Sequence, residues 1–270
     1  MVDNKFYTID FHCHVYPEKI AQKAAHATGD FYDAGVEGEG TLADLLETGT
    51  AAGTDFFVIQ SVATTPHQVH SINRFISELA AANPEKTLGF GAMHPESEDI
   101  DGDFDEMLEL GLKGVKIHPD IQKFALDDKR CDRIYARCSE AGIPILIHTG
   151  DYRYDYSNPN RLIPVLRAFP RLKVVGAHLG GWSVYEEASR ALCDFENLYV
   201  DCSSTFQFTP EENALECMKR YGYEKVMYGT DYPMWSPKKE IEYFMTLPLS
   251  DDQRAAILSG NAKRLLGFEK

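Results

Sequence analysis

The stretch IDFHCH, residues 9–14, decides the fold, because two histidines flank one residue at the end of an apolar run. Alternate side chains of a β-strand point to the same face, so His12 and His14 would lie close enough to share one metal ion. Two solvated loop histidines explain the pair equally well when it is taken alone. The metal hypothesis therefore depends on finding further ligands downstream.

Similar short apolar runs recur along the chain, separated by longer segments whose apolar residues are spaced three and four apart. This alternation is typical of repeated βα units in an α/β protein. The predicted strands are residues 7–14, 55–62, 88–94, 114–118, 143–148, 173–178, 198–203 and 226–231. Since a closed (β/α)8 barrel needs about 250 residues, these units favour such a TIM barrel over an open sheet. We expect one barrel domain over residues 1–270.

Capping residues mark the starts of several predicted helices, among them Thr41, Asp127 and Ser183. Two connections are longer than a minimal βα loop, namely residues 15–40 after the first strand and residues 151–160 after the fifth. Both would lie over the same mouth of the barrel. Long loops in compact domains are commonly lids or binding loops, so we expect both to contact substrate.

The composition excludes several classes of partner and location. A formal net charge of -15 disfavours binding to nucleic acid or to an anionic membrane, because both require a basic surface. No apolar run approaches the ~20 residues that span a bilayer, and the start lacks a secretory signal pattern. The six cysteines include no Cys-x-x-Cys pair, which indicates reduced, buried thiols. A soluble cytoplasmic protein with a small-molecule substrate is expected.

Polar side chains collect where the predicted strands end. They are His12, His14, His94, Lys116, His118, His148, His178 and Asp231. The carboxyl ends of parallel strands converge on one face of a barrel, the face that carries the active site. Each lone histidine is explained better as a core residue bonded to backbone. Core histidines have no reason to collect at one face, however, whereas a metal requires three or four nitrogen or oxygen ligands there.

Six motifs resemble those of the amidohydrolase superfamily. They are FHCH, GVKIHP, IHTG, AHLGG, YGTDYP and GNAKRLLG, in this order between residues 7 and 267. The best match is the amidohydrolase-related branch, which also contains the aminocarboxymuconate-semialdehyde-type decarboxylases. The resemblance implies a metal-dependent hydrolase type of TIM barrel, in which His12, His14, His148 and Asp231 bind zinc. It also implies that His178 lies beside the metal, and that Asp231 combines weak ligation with proton transfer.

Lys116 has two functional interpretations under this resemblance. Some branches carry a carboxylated lysine that bridges two metals at about this place. In the favoured branch one metal suffices, and Lys116 would hold a substrate carboxylate or oxyanion together with His118 on the same strand face. An exposed lysine at a strand end is the structural alternative. Further substrate contacts are expected from loop residues, namely Tyr152, Arg153, Tyr154 and Trp182, with Arg153 as a bidentate partner for a carboxylate.

Three reactions or roles are compatible with this set of residues. The first choice is hydrolysis of an ester, lactone or amide of a small carboxylate-bearing substrate, preferred on the breadth of the superfamily. The alternative is nonoxidative decarboxylation of an unsaturated or aromatic acid. A noncatalytic, metal-stabilised barrel is the third hypothesis and predicts a closed ligand set. The resemblance also suggests a homodimer.

Overall fold

The computed structural model describes residues 5–268, so the predicted domain of residues 1–270 extends beyond this range at both ends. The strands are β1 (Ile9–His14), β2 (Phe56–Gln60), β3 (Thr87–Gly89), β4 (Gly91–Ala92), β5 (Val115–Ile117), β6 (Pro144–Ile147), β7 (Lys173–Gly176), β8 (Leu198–Asp201) and β9 (Val226–Met227). Every pairing between neighbouring strands is parallel.

Helices alternate with these strands along the chain. They are α1 (Ala21–Tyr32), α2 (Leu42–Ala51), α3 (Val69–Ala82), α4 (Ile100–Glu109), α5 (Pro119–Gln122), α6 (Asp132–Ala141), α7 (Pro159–Ala168), α8 (Tyr185–Leu192), α9 (Glu211–Tyr221), α10 (Pro237–Thr246), α11 (Asp251–Ala255) and α12 (Asn261–Leu266). Within residues 5–268, no helix is both long enough and apolar enough to cross a membrane.

The strands form one closed (β/α)8 barrel. β1 to β3 are neighbours in chain order, and so are β4 to β9. Phe90, between β3 and β4, donates its N–H to Ile59 O of β2, and Gly91 donates to Gly114 O just before β5. The segment β3–β4 therefore pairs first with β2 and then with β5, which joins the two sets of strands. The last gap closes where Phe11 N–H donates to Tyr228 O over 3.0 Å. The predicted fold class is confirmed.

All eight predicted strands are present, the third of them as the segments β3 and β4, and each is shorter than predicted. The difference lies mainly at the carboxyl ends, where polar residues leave the sheet. His178 and Asp231, which follow β7 and β9, both have a φ of 58°, in the left-handed region. A strand cannot continue through that conformation, so these two side chains are turned toward the axis of the barrel.

The inside of the barrel is filled by alternate residues of the strands. Phe11 and Phe90 meet edge to face with ring centroids 5.6 Å apart, and Val58, Leu146 and Val175 belong to the same buried cluster. The other residues of these strands pack against the helices. This apolar plug lies below the polar residues at the strand ends and separates them from the opposite face of the barrel.

A β-bulge in β1 directs the two histidines inward. Between the pairings of Asp10 with Phe57 and Cys13 with Ile59, β1 advances by three residues and β2 by two. The extra residue changes the alternation, so that the Phe11 ring and the His12 ring both point to the inside. Simple alternation, on which the sequence prediction was based, accounts for His12 and His14 relative to each other but not for their position above Phe11.

Two of the three predicted capping residues were wrong. Thr41 caps α2, since its side chain accepts from Asp44 N–H. The turn before α6 is capped by Asp128 rather than Asp127. Ser183 lies at a φ of 65° before α8, and its hydroxyl accepts from Tyr152 N–H instead of from that helix.

The predicted long loop of residues 15–40 contains a helix, α1, that the glycines and the polar composition of this segment concealed. Ala21, Ala25 and Gly29 form the buried side of α1. The helix ends where Asp33 adopts a left-handed conformation with a φ of 52°. Gly29 is required because a Cβ atom there would lie 2.8 Å from Ala34 O. The segment is therefore an ordered cover over the barrel mouth.

Candidate active site

Three of the four predicted metal ligands meet where the barrel closes. His12 and His14 belong to β1, and their Nε2 atoms are 3.1 Å apart. Asp231, just after β9, places Oδ1 3.4 Å from His12 Nε2 and 3.7 Å from His14 Nε2. Both rings are almost completely buried. Adjacent strands thus bring two imidazoles and one carboxylate together.

The hydrogen bonds behind three of the rings determine which nitrogen atoms are free. These bonds join His12 Nδ1 to Asp201 Oδ2, His178 Nδ1 to Ser203 O and His148 Nε2 to Gly150 O, each over 3.0 Å. A carboxylate or carbonyl oxygen can only accept, so each of these nitrogens carries the proton and donates. The opposite nitrogen of each ring is therefore an unprotonated lone pair. Those atoms are His12 Nε2, His178 Nε2 and His148 Nδ1.

Two of the free nitrogen atoms face each other, since His178 Nε2 lies 3.1 Å from His148 Nδ1. Two nitrogen lone pairs at this distance repel each other unless a cation or a proton lies between them. The third, His12 Nε2, lies 3.1 Å from His14 Nε2. Imidazole nitrogens with a carboxylate are common ligands of divalent metals, and an oxygen acceptor behind each ring is the usual support for such ligands. The donor set therefore fits a divalent metal ion.

His148 does not contact the other three predicted ligands directly and belongs to a neighbouring group of donor atoms. Within the described chain, donor atoms within 4.8 Å of one another form the groups His12–His14–Asp231, His12–His178–Asp201 and His118–Asp120–His148. His148 is thus connected to the first group through His178. The ring of His178 stacks on that of His12 with centroids 5.2 Å apart, which makes His178 the link between the two halves of the cluster.

Burial sets the protonation states of the cluster. It lowers the pKa values of His12, His14 and His148 well below the ordinary value, and that of His178 to about 4. All four imidazoles are then neutral near pH 7, the form that binds metals. Burial also raises the pKa of Asp231 to about 7, against the opposing effect of a hydrogen bond from Ser204.

Lys116 lies inside the cluster. Its side chain is buried on β5, and Nζ lies 3.0 Å from the free His12 Nε2, to which it donates. Burial lowers the pKa of Lys116 to about 8, and the charges of Asp231 and Asp201 oppose that shift. The structural alternative of an exposed lysine is wrong, since only 1% of the residue is exposed.

Tyr32, at the end of α1, closes the cluster from above. Its hydroxyl lies 2.6 Å from His118 Nε2 and 3.1 Å from His148 Nε2. His118 Nδ1 accepts from Ile121 N–H, so its Nε2 carries the proton and donates to the hydroxyl. The rings of His118 and His148 stack with centroids 4.0 Å apart. The predicted site residue His118 therefore faces the covering helix as well as the cluster.

A cavity of about 660 Å³ leads from the cluster to the surface. Aromatic side chains surround the part near the cluster, namely Phe31, Tyr32, Trp182, Phe208 and Trp235. Among the described lining residues, Asp231 is the single acid, and Lys23 and Lys116 are the cations. The arrangement can bind a flat, apolar molecule with one anionic end at the cluster.

The loop residues predicted to bind substrate are placed differently from one another. Trp182 lines the cavity, where its ring packs edge to face on Tyr32. Tyr152 and Arg153 are not among the described residues that line it, and Tyr152 is 75% exposed. Arg153 donates from Nε and Nη2 to the Asp151 carboxylate over 2.9 and 2.7 Å. The prediction that Arg153 and Tyr152 bind substrate is therefore not supported.

Sequence reasoning missed the residues that hold the cluster in place. Asp201 ends β8 and accepts from His12, while its other oxygen accepts from the N–H groups of His178 and Ser203. Asp120 accepts from Ser157 and lies 3.6 Å from His148 Nε2. Asp201 lies at the end of a predicted strand, so the rule that selected the histidines would have selected this aspartate too.

A family model described as amidohydrolase matches residues 9–268. The chain is 25% identical over 240 residues to a 2-amino-3-carboxymuconate-6-semialdehyde decarboxylase of Dictyostelium discoideum. That alignment covers 73% of this chain and 66% of the relative, slightly less than two thirds of its length.

Solved structures of the same fold cover almost the whole chain. A TIM-barrel protein from Bordetella bronchiseptica superimposes with a TM-score of 0.81 and 25% identity, covering 97% of this chain and 99% of that one. A dihydroxybenzoic acid decarboxylase from Polaromonas sp. JS666, solved with manganese and 2-nitroresorcinol, gives a TM-score of 0.75 and 15% identity, covering 98% of each chain.

These findings correct the first functional choice. The 2-amino-3-carboxymuconate-6-semialdehyde decarboxylase and a further curated relative, a decarboxylase of Emericella nidulans that is 25% identical over 212 residues, both favour a carboxy-lyase, so the preference for a hydrolase, which depended only on the breadth of the superfamily, is wrong.

Proposed function

The chain belongs to the amidohydrolase family, and on that basis we propose that it is a metal-dependent nonoxidative decarboxylase of an unsaturated or aromatic carboxylic acid. The observation that carries the proposal is the convergence of unprotonated imidazole nitrogens, one carboxylate and a buried lysine at the inner end of an aromatic-walled cavity. The likeness to decarboxylases supports it.

One divalent ion is proposed, held by His12, His14, His148 and Asp231, with His178 beside it. The ion, when bound, supplies positive charge that holds and polarises the substrate. Zinc suits a set dominated by imidazole nitrogen better than manganese, which prefers oxygen. A second ion would require carboxylation of Lys116, and we propose a free amine there, which leaves Lys116 as the buried cation for a substrate carboxylate.

Lys116 is proposed to bind the substrate carboxylate. It is the one buried cation among the described residues that line the cavity. The aromatic walls formed by Trp182, Phe208 and Trp235 exclude water from the reacting ring. A carboxylate that is shielded from water interacts more strongly with the lysine than it does in solution, because the surrounding dielectric constant is lower.

Asp231 is proposed to deliver the proton. Its Oδ1 faces the His12 and His14 nitrogens, and Ser204 Oγ donates to Oδ2 over 2.6 Å, which fixes the orientation of the carboxyl group at the inner end of the cavity. In the reaction a π electron pair of the substrate takes the Asp231 proton and forms a C–H bond at the carbon that bears the carboxylate. The C–C bond then breaks, its electron pair restores the π bond, and CO2 leaves. A second proton, taken up from solvent, restores Asp231.

The noncatalytic hypothesis predicts a closed set of ligands. The cavity instead reaches the side chains of His12, His14, His148 and Asp231, so a molecule can enter and contact them. This access favours an enzyme.

The test is CO2 release from a panel of aromatic and muconate-like acids by purified protein of measured metal content. Asp231→Asn should lower the rate by about 10³-fold, since general acids contribute 10²–10⁴-fold. Asp30→Asn, an exposed change on α1, is the matched control and should leave the rate unaltered. Full activity in Asp231→Asn, or ester hydrolysis without CO2 release from any acid, would overturn the proposal.

A further inference from the structure

The cavity is larger than decarboxylation of a single ring requires. An apolar cavity of roughly 150 Å³ holds a benzene-sized molecule, whereas this one measures about 660 Å³. The additional cavity volume does not lie at the proposed metal ligands, where the side chains are in contact with one another. It lies farther out, under the covering helix.

The outer part of the cavity runs between α1 and α3, and we call it the α1–α3 arm. Its apolar lining residues are Ile20, Ala24, Ala27, Ile72 and Phe75, and Lys23, Thr28 and Ser71 of the same helices also line the cavity. Positions 20, 24 and 27 share one side of α1, and positions 72 and 75 share one side of α3. The two alanines have almost no side chain to fill the gap, which is why space remains between the helices.

The chemistry of the α1–α3 arm differs from that of the inner cavity. Its apolar side chains are aliphatic apart from Phe75, and its polar side chains, Lys23, Thr28 and Ser71, include no acid, whereas large aromatic rings, among them Tyr32, Trp182 and Trp235, concentrate near the cluster. Among the described lining residues of the whole cavity, the single carboxylate, Asp231, lies at the inner end. The outer end opens to solvent, because Ile20 is 50% exposed. Apolar surface of this kind is stabilised when a hydrocarbon covers it.

We propose that the α1–α3 arm binds an unbranched hydrocarbon substituent of the substrate acid, while the ring and carboxylate occupy the inner cavity beside Lys116. This inference rests on the proposed decarboxylase function and adds the class of substrate. A flexible chain fits an aliphatic passage between two helices better than a second ring does. A chain longer than the arm would extend past Ile20 into solvent.

The experiment compares 2,6-dihydroxybenzoic acids that carry a 4-alkyl chain of zero, one, three or five carbons. Dissociation constants from calorimetry and CO2 release are measured for each acid on the metal-loaded protein. In the wild type, affinity should rise about threefold for each added methylene, because each methylene that moves from water into the apolar arm stabilises the complex by a similar amount. Ala24→Leu and Ala27→Leu fill the arm with a residue of similar helix propensity, so the gain should disappear while the unsubstituted acid is unaffected.

His26→Leu is the matched control, since position 26 is an exposed residue of α1 outside the described cavity lining, and it should keep the wild-type dependence on chain length. Circular dichroism and metal content confirm that each variant is folded. The inference is overturned if affinity does not depend on chain length, or if affinity rises with chain length as much in Ala27→Leu as in the wild type. Equal affinity and equal CO2 release for all four acids refute the arm but leave the decarboxylase intact. A chain-length gain in binding without any CO2 refutes the decarboxylase but supports the arm. If none of the acids binds and none reacts, the arm and the decarboxylase function are both overturned.

Discussion

Two cations predicted to bind a substrate carboxylate, Lys116 and Arg153, lie in opposite environments. Lys116 is 1% exposed, contacts His12 and lines the cavity. The Arg153 guanidinium donates to both oxygens of Asp151 and to Phe31 O, and it stacks on the rings around Tyr32. One cation is thus available to a substrate, and the other is already paired within the protein.

The difference arises from the elements that carry the two residues. Lys116 is on a barrel strand, so the pleat alone decides that it points inward at the level of its register partner Leu146. Arg153 is in the loop after β6, where a long side chain can reach a carboxylate of its own segment, here Asp151 two residues earlier. Strand ends therefore present their side chains to the site, whereas loop residues in this protein stabilise the cover.

The largest expected effect is at the strand end. His12→Ala removes the imidazole that contacts His14, Lys116 and Asp231. Bound metal should fall below a tenth of an equivalent, and CO2 release should fall by about 10³-fold or more, because several kcal/mol of charge stabilisation depend on the ion. Elemental analysis after dialysis measures the metal. His67→Ala, on the exterior, is the control, and retention of metal and activity in His12→Ala would refute the whole site.

Lys116→Met tests the strand side of the comparison directly. The substitution keeps the length of the side chain and removes the charge, so a substrate carboxylate loses its buried cation. kcat/KM should fall by about 10²-fold, mainly through KM, because losing a charged hydrogen bond costs about 1.5–3 kcal/mol. Metal content should stay at one equivalent per chain. A loss of one of two metal equivalents would instead show that Lys116 bridges two ions.

The barrel was predictable because its signal is repeated. Each short apolar run ends in a polar residue, and eight such units leave few alternatives to closure. His14 and Lys116 lie on strands, whose geometry fixes where their side chains point, whereas His178 was identified by its place just after a strand and is directed by its left-handed backbone. The bulge in β1 has no comparable signal, because the extra residue is visible only in the register with β2.

The cover was less predictable because its contacts are tertiary. The α1 sequence contains two glycine-free turns of small and polar residues whose buried side is formed by alanine, a weak sign of amphipathicity. Arg153 and Tyr152 are adjacent in sequence, and arginine and tyrosine are residue types that often bind substrates. Their partners, Phe31 O for Arg153 and Ser183 Oγ for the Tyr152 N–H, lie far away along the chain. Propensity and spacing contain no information about such contacts.

Asp201→Asn sharpens the comparison, because Asp201 is a strand-end residue that supports the site without lining the cavity. Its Oδ2 accepts from His12 Nδ1, and its Oδ1 accepts from Ser203 Oγ over 2.5 Å. An amide can present its NH2 group to His12 and reverse the tautomer. Metal affinity should fall by about 10–100-fold, as for other supporting residues, measured by competition with a chelator. Asp194→Asn, near the surface, should not change the affinity.

The smallest effect is expected for Arg153→Met, and it decides whether the two cations truly differ. The substitution removes the ion pair with Asp151 and the bond to Phe31 O, so α1 should be held less firmly over the cavity. Because the guanidinium is partly exposed, the loss of stability should be small, on the order of 1 kcal/mol. kcat/KM should fall less than about fivefold, without the rise in KM expected for Lys116→Met. Protease cleavage within residues 15–40 should become faster, which reports the loosened cover, and Arg171→Met is the control. An increase in KM equal to that of Lys116→Met would mean that Arg153 leaves Asp151 to bind the substrate carboxylate, and the distinction between strand ends and loops would then fail.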